Sequence, residues 1–222
     1  MVLKLHGVEV RLVKNITDEQ LDELAQMLVF KPDPITTAAC TGDDALKPVY
    51  FRAVMGACAV GGDLFLAYHT DAEDRKTNIV GCVAFFGPGK EMLASVSEEQ
   101  RELPVVTEFV KKAHTNWFIN SFLPQYAVLS RKMIDPEVKK NGWTANMLAV
   151  HPKYQGKGIA TELMLAGEAL AKANNIPVTL ETGSQNTVRM YQHLGYRLLG
   201  TEKMDFGPLV GMIDVSILQK AP

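Results

Sequence analysis

The order of segments after residue 143 constrains the fold most, because a strand, a helix and a second strand follow one another closely. Residues 144–150 are mostly apolar and predict a strand, which His151-Pro152 ends because proline cannot donate to a strand ladder. The helix is predicted by apolar residues at steps of four and three: Ile159, Leu163, Ala166, Leu170 and Ala173. Val178 and Leu180 predict the second strand. Two strands joined through a helix favour a parallel crossover, so we expect an α/β sheet with helices packed on it.

The rest of the chain predicts further strands of this sheet and helices around it. Period-2 or β-rich runs predict strands at residues 8–12, 64–69, 79–86, 196–203 and 213–217. Helical spacing and end signals predict helices at residues 18–30, 49–60 and 185–194. The second and third strands predict an antiparallel hairpin, and residues 95–140 predict a helical excursion. Because no repeat or linker divides the chain, residues 1–222 are expected to form one domain with a helical insertion at about 90–140.

Charge and cysteine content exclude several classes of partner. Lys and Arg number 23 against 25 Asp and Glu, and a net charge of -2 gives no long-range attraction to nucleic acid or anionic lipid. The longest charge-free apolar stretch, residues 53–62, is about half of what a bilayer crossing needs, and the start of the chain does not resemble a leader. Cys40, Cys58 and Cys82 have no CxxC spacing and are expected to be buried thiols. We therefore expect a cytoplasmic protein that binds neither nucleic acid nor a membrane.

The turn between the strand and the long helix is rich in glycine and positive charge. Gly156 and Gly158 permit a tight turn, and the helix that begins near Ile159 directs its unpaired amides and positive dipole end at that turn. Lys153 and Lys157 add charge, which makes the turn suitable for a pyrophosphate. From the loop alone, a simple glycine-rich connection is an equally open interpretation.

Two well-known phosphate loops do not fit this turn. A Walker loop requires Ser or Thr after its Gly-Lys pair, but Gly158 follows Gly156-Lys157. A dinucleotide fingerprint requires a third glycine at the position that Thr161 occupies. The sequence therefore supports neither an ATPase nor a dehydrogenase.

Two stretches resemble the GNAT superfamily of acyl-CoA-dependent N-acetyltransferases. Residues 147–160 resemble motif A, whose pattern Gln/Arg-x-x-Gly-x-Gly/Ala is met by Gln155, Gly158 and Ala160. Residues 186–196 resemble motif B, through Asn186, Tyr191 and the pair Gly195-Tyr196. The resemblance is specific over residues 143–203, and before residue 143 only the order of strands and helices agrees. It implies a mixed, mostly antiparallel central sheet with helices on both faces and the helical insertion before the cofactor-binding strand.

The resemblance also implies an acetyl-CoA cleft. Backbone groups of Leu148, Ala149 and Val150 would lie along the pantetheine arm, in a slot opened by a β-bulge. The pyrophosphate would be held by amides of Gln155, Gly156, Lys157, Gly158, Ile159 and Ala160. Asn186 would hydrogen-bond the cofactor, and Tyr191 would protonate the departing thiolate; alternatively, Tyr191 is a packing aromatic of its helix.

The general base cannot be copied from the family, because residues 144–150 contain no Asp or Glu. Glu181, at the end of the following strand, is our candidate and could point into the slot or into solvent. His151 and Asp135 are better explained as turn residues, and His114 as a packed helix residue. No residue spacing indicates a metal.

The resemblance predicts transfer of an acetyl group from acetyl-CoA to a primary amine by direct attack in a ternary complex. Basic residues offset the acids of the excursion, so a small-molecule amine is a more natural acceptor than a highly basic protein tail. Aromatic residues there could line its pocket or belong to the core: Trp117, Phe118, Phe122, Tyr126 and Trp143. A non-catalytic acyl-CoA-binding module is the alternative. Exposed strand edges near the C-terminus would allow a homodimer.

Overall fold

The computed structural model describes residues 7–30, 34–40, 42–71, 77–90, 121 and 123–222. The strands are β1 (Val8–Val13), β2 (Asp63–Thr70), β3 (Thr77–Phe86), β4 (Trp143–Val150), β5 (Val178–Thr182), β6 (Arg197–Asp205) and β7 (Met212–Lys220). The α-helices are α1 (Asp18–Leu28), α2 (Pro34–Ala39), α3 (Lys47–Gly61), α4 (Leu123–Met133), α5 (Pro136–Asn141), α6 (Ile159–Ala173) and α7 (Gln185–His193). Short 3₁₀ turns occupy Asp44–Leu46 and Pro152–Tyr154.

The strands form one seven-stranded sheet in the order β1-β2-β3-β4-β5-β7-β6. β4 and β5 are parallel, and the other neighbouring pairs are antiparallel. The parallel pair is the predicted crossover, with α6 as its helix, and β2 and β3 form the predicted hairpin. The mixed, mostly antiparallel sheet expected from the sequence is therefore confirmed.

Helices cover both faces of this sheet. On β2, Leu64 and Leu66 share a buried cluster with α1 and α3, whereas Phe65 lies in the cluster under α6 and α7. On β7, Ile217 packs in a cluster with α4, and the next residue, Leu218, packs on the α6 side. Because neighbouring strand residues point to opposite faces, α4 covers the face opposite α6 and α7. Within the described ranges, no helix has both the length and the apolar composition that a bilayer crossing needs.

Local sequence signals explain where several helices begin. Thr17 and Gln20 form the expected capping box of α1, with hydrogen bonds of 3.3 Å and 3.1 Å between each side chain and the other residue's amide. α4 ends before Pro136 as predicted, and α5 begins at this proline, which suits a first helical position. Residues 91–120 and 122 of the predicted excursion lie outside the described residues, so α4 and α5 are its described part.

Helix α6 lies very close to β3. A Cβ atom at Gly167 would lie 2.0 Å from Cε2 of the buried Phe85 ring, and one at Gly81 would lie 3.0 Å from Cδ1 of Leu163. These two glycines therefore let the helix settle onto the sheet. The contact fixes α6 beside β4, the strand that leads into its N-terminus.

All three cysteines lie in the interior, as predicted. Cys40, Cys58 and Cys82 are each 0% exposed. Burial, with a smaller contribution from Cys82, raises the pKa of the Cys58 thiol far above its usual range. These thiols are therefore packing residues, and Cys82 has a further contact described below.

Candidate active site

The sheet opens between its two parallel strands. β4 and β5 pair at Trp143 with Val178 and at Thr144 with Thr179. Beyond these pairs, no residue of β4 is in register with β5 in the described chain, and residues 146–150 of β4 are only half-buried. The backbone groups of β4 on this side, including those of the predicted pantetheine-binding residues Leu148, Ala149 and Val150, therefore line a slot.

A β-bulge in β4 accompanies the opening. Asn146 pairs with Ala84 and Ala149 pairs with Cys82, so Met147 and Leu148 together oppose Val83 of β3. Met147 has φ 55°, in the left-handed region, and its carbonyl oxygen accepts a hydrogen bond of 3.4 Å from the Cys82 thiol.

The bulge also changes which face each residue of β4 points to. Trp143 and Ala145 lie on the α6 side before it, whereas Leu148 and Val150 lie on that side after it. The strand thus bends at Met147, as a bulge typically makes a strand do. The bulge implied by the family resemblance is present.

The glycine-rich turn presents unpaired amides at the N-terminus of α6. Gly156 has φ 74°, and Gly158, the N-cap residue of α6, has φ 82°. No side chain caps this end of the helix with a hydrogen bond. In the described part of the chain, none of the amide groups of residues 156–161 donates to another backbone carbonyl. The turn is exposed, and the 15-residue helix behind it directs its positive dipole end there. This arrangement suits an anion.

Two residues of this loop have structural roles that sequence reasoning did not separate from binding. The Gln155 side chain donates to the Val150 carbonyl at 3.0 Å, and its amide donates to the Pro152 carbonyl at 3.3 Å. The Gln155 amide is therefore already engaged, whereas the Thr161 amide at the other end of the turn donates to no described backbone carbonyl. The Ile159 side chain is 1% exposed and packs in the core, so only its amide faces the loop.

The lysines and Ala160 complete the turn. Lys153 and Lys157 are both exposed, and Lys157 Nζ lies 5.1 Å from the centroid of the Tyr154 ring. Ala160 is half-buried in the first turn of α6. The charge predicted at the turn is thus next to the unpaired amides.

Asn186 and Tyr191 both lie on α7, on the α6 side of the sheet. Asn186 is exposed in the first turn, and its Oδ1 accepts a hydrogen bond of 2.6 Å from Arg189 Nη2, which leaves its amide hydrogens for another acceptor. Tyr191 is 6% exposed, and its ring packs edge-on against Tyr196 with centroids 5.6 Å apart.

The Tyr191 hydroxyl is the part of this side chain that packing does not explain. It makes no hydrogen bond to any described residue. It is also not among the described side-chain polar atoms that are both fully enclosed and without a hydrogen-bond partner, which are Ser130 Oγ and Trp143 Nε1. The Tyr191 oxygen therefore keeps contact with open space. Burial, with a smaller effect of the Glu181 charge, raises the pKa of this phenol, so it stays protonated at neutral pH.

Glu181 points to the face of the sheet that α4 covers. It lies two residues beyond Thr179, the last β5 residue paired with β4, and its Oε2 accepts a hydrogen bond of 3.1 Å from the Tyr126 hydroxyl. Burial raises the pKa of the Glu181 carboxyl; the Tyr126 hydrogen bond and then the charge of Lys139 act in the opposite direction. Of the two orientations that the sequence left open for Glu181, into the slot or into solvent, the structure shows neither a fully exposed nor a free side chain. The carboxylate is half-buried and hydrogen-bonded to Tyr126.

The weaker candidates are placed as turn or core residues. His151 Nδ1 accepts from the Lys153 amide at 3.2 Å, and Asp135 Oδ1 accepts from the Glu137 amide at 2.9 Å, so both side chains cap short helices. Trp143 belongs to the core under α6. His114, Trp117, Phe118 and Phe122 lie outside the described residues.

Sequence reasoning missed a buried network behind Tyr191. The Tyr196 hydroxyl donates to Glu168 Oε1 at 2.8 Å, and Lys220 Nζ lies 2.6 Å from Glu168 Oε2. Glu168 is 9% exposed and shares a helix face with the buried Met164 and Ala171, four residues before and three after it. A charged residue on an apolar helical stripe was the signal that could have revealed it.

Comparison with known proteins agrees with this geometry. The family model of the acetyltransferase (GNAT) domain matches residues 126–198. The histone acetyltransferase HPA2 and related acetyltransferase from Corynebacterium glutamicum has a similar structure, with a TM-score of 0.61 at 17% identity over 97% of each chain. The Drosophila melanogaster polyamine N-acetyltransferase, an enzyme that forms N-acetylagmatine, gives a TM-score of 0.61 at 16% identity over 97% of this chain and 100% of that one.

A third similar structure is that of the NatC complex bound to Gag peptide and CoA. Its TM-score is 0.52 at 13% identity, over 97% of this chain and 99% of that one. At these identities the likeness establishes a shared fold. The acetyltransferase (GNAT) domain model thus matches residues 126–198 of a chain whose fold is similar to that of known acetyltransferases.

Proposed function

We propose that the protein is an N-acetyltransferase that uses acetyl-CoA to acetylate a primary amine of a small molecule. The observation that carries this proposal is the slot between β4 and β5, which starts at the unpaired amides of residues 156–161. On β5 the slot is flanked by Glu181, and α7 places the Tyr191 hydroxyl on the opposite face. An anion site, an open strand edge, a carboxylate and a phenol are the groups that acetyl transfer from a thioester requires.

The cofactor would be held mainly by backbone groups. The amides of residues 156–161, the dipole of α6 and the charges of Lys153 and Lys157 would bind the pyrophosphate. The β4 backbone at Leu148, Ala149 and Val150 would pair with the pantetheine arm as a strand would. Asn186 would donate to it through the amide hydrogens that Arg189 does not engage. The NatC structure, which shares the fold, is bound to CoA, and this supports the assignment.

The chemistry requires that a neutral amine attack the thioester carbonyl. A C–N bond forms, the C–S bond breaks, and the proton lost by the amine nitrogen passes to Glu181, directly or through water. The raised pKa of Glu181 suits a general base that must take a proton near neutral pH. Amides of β4 near the bulge would stabilise the oxyanion, and Tyr191 would donate its proton to the thiolate.

A small amine is the favoured acceptor class. The Drosophila relative acts on polyamines, and its fold covers 97% of this chain. A carboxylate in the cleft attracts the ammonium form of such an amine and can then deprotonate it.

We extend the proposal to one domain over residues 1–222, in a cytoplasmic protein.

The proposal is tested by thiol release from acetyl-CoA with a panel of acceptors: agmatine, a linear polyamine, an arylalkylamine and a lysine peptide. We expect release with at least one small amine, and a product heavier by one acetyl group in mass spectrometry. CoA alone should raise the Tm, by mass action on the folded state. CoA binding without thiol release from any acceptor would favour a binding module, and absence of CoA binding would refute the site.

The loop assignment has a matched pair of variants. Gly158→Val places a branched side chain at φ 82° inside the anion site, whereas Gly211→Val places it at φ 79° in a turn where a Cβ meets nothing within 4 Å. Both carry a similar backbone strain, of about 1–2 kcal/mol. Calorimetry should show loss of CoA binding in the first variant alone. Parental affinity in a folded Gly158→Val protein would contradict the assignment.

A further inference from the structure

The Tyr126 hydroxyl contacts the candidate base from a neighbouring layer of the fold. Tyr126 lies on α4 and Glu181 on β5, and the hydrogen bond of 3.1 Å between them joins residues 55 positions apart. On the neighbouring strand β7, Ile217 is the residue paired in register with Glu181. Ile217 is 1% exposed and belongs to the apolar cluster under α4. The carboxylate therefore lies beside apolar side chains, and the Tyr126 hydroxyl donates a hydrogen bond to it there.

The Tyr126 ring is itself held from a third element. Lys139 of α5 lies with its Nζ 5.5 Å from the centroid of that ring, because the short turn at Asp135 folds α5 back onto α4. The same phenol is therefore contacted by the ammonium at its ring and by the carboxylate at its hydroxyl. Among the described residues, the titratable groups that act on Glu181 are Tyr126 on α4 and Lys139 on α5, and Glu181 in turn acts on Tyr191 of α7.

We propose that Tyr126 is a positioning residue that holds Glu181 Oε2 so that Oε1 faces the acceptor amine at the opening of the sheet. This inference rests on the proposed function, in which Glu181 accepts the amine proton. A carboxylate on an apolar surface has several rotamers, and a single directional hydrogen bond from a rigid phenol selects one of them. Because the bond is made to the ionised form, Tyr126 also keeps the base deprotonated to a lower pH.

Tyr126 is the first residue that the family model matches. The match spans residues 126–198, so it includes Tyr126 and Glu181 together with the cofactor loop and Tyr191. The aromatic that the sequence left open between pocket and core is thus assigned to the site, whereas Trp143 is assigned to the core.

The test compares Tyr126→Phe with the parent in two measurements. The first is the pH profile of kcat/KM for the amine, and the second is a ¹³C NMR titration of the Glu181 carboxyl, which needs no turnover. Phenylalanine keeps the ring beneath Lys139 and removes only the donor. A hydrogen bond to a charged group corresponds to about one to two pH units, so the acid limb and the Glu181 midpoint should both move to higher pH by that amount. KM for acetyl-CoA should not change.

Two controls separate the outcomes. Tyr68→Phe removes a hydroxyl that accepts a 3.3 Å hydrogen bond from Gln20 on another part of the sheet, and it should leave both measurements unchanged. Glu181→Gln should abolish the acid limb. If it does so while Tyr126→Phe leaves the limb and the midpoint at parental pH, the inference is overturned and the proposed function stands. If Glu181→Gln retains the parental limb, the base assignment itself fails, and the NMR midpoint still decides whether Tyr126 holds the carboxylate.

Discussion

Two neighbouring tyrosines provide the sharpest test of the proposed chemistry, because the structure predicts opposite effects for the same substitution. Tyr191→Phe removes a hydroxyl that makes no hydrogen bond to any described residue, whereas Tyr196→Phe removes one that donates to the buried Glu168 at 2.8 Å. Their rings pack against each other, 5.6 Å between centroids, and phenylalanine preserves that contact. The pair therefore separates catalysis from stability within one cluster.

The magnitudes follow from these contacts. For Tyr191→Phe, the free energy of unfolding should change by less than about 0.5 kcal/mol, since no partner is left unsatisfied. The rate should fall roughly 10- to 1,000-fold, the range expected for one well-placed proton donor. For Tyr196→Phe, the buried Glu168 Oε1 loses its hydrogen-bond donor, which should lower the free energy of unfolding by about 1–3 kcal/mol. For a chain of this length that corresponds to a Tm lower by about 2–12 °C.

The assay is steady-state thiol release with saturating acetyl-CoA, beside calorimetric melting of both variants. Tyr196→Phe should keep the rate within about threefold of the parent, because the phenol that would act on the thiolate is intact. A stability loss in Tyr191→Phe with an unchanged rate would make its hydroxyl a structural group and refute its assignment as general acid. An equal rate loss in both variants would show that the cluster acts only through packing.

Two further predictions concern the frame of the site. Gly167→Ala should lower the Tm by up to about 8 °C, because the new Cβ would lie 2.0 Å from the buried Phe85 ring. The overpacking cost of about 1–3 kcal/mol is offset only in part by a helix-propensity gain of about 1 kcal/mol, and a raised Tm would contradict the close helix contact. Replacing Lys153 and Lys157 together by Ala should weaken CoA binding roughly 2- to 30-fold in calorimetry, and less at high salt, because both are exposed charges beside the unpaired amides; a salt-independent effect would point to lost packing instead.

Residues whose role depends on their immediate neighbours in sequence were predictable. Glycine at 156 and 158 permits positive φ whatever surrounds it, and the helix that follows leaves its first amides unpaired by its own geometry. The capping box at Thr17 and Gln20 is likewise a contact over three residues. The parallel crossover followed because a strand, helix and strand in sequence have few ways to pack.

Residues whose role depends on distant partners were not predictable. The alternation of β5 placed Glu181 on the face of the sheet opposite to that of Leu180. Only the packing of α4 decided that the Tyr126 hydroxyl donates a hydrogen bond to it. The bulge at Met147 arises from its register against β3, and methionine is not a residue type that favours a positive φ. The sequence by itself determined the parallel crossover and the glycine-rich turn at the start of α6, because these follow from local backbone chemistry and hydrophobic period. Tertiary structure alone decided the slot between β4 and β5, the partner of Glu181 and the buried pairing of Glu168, because each is a contact that chain connectivity leaves open until the helices close on the sheet.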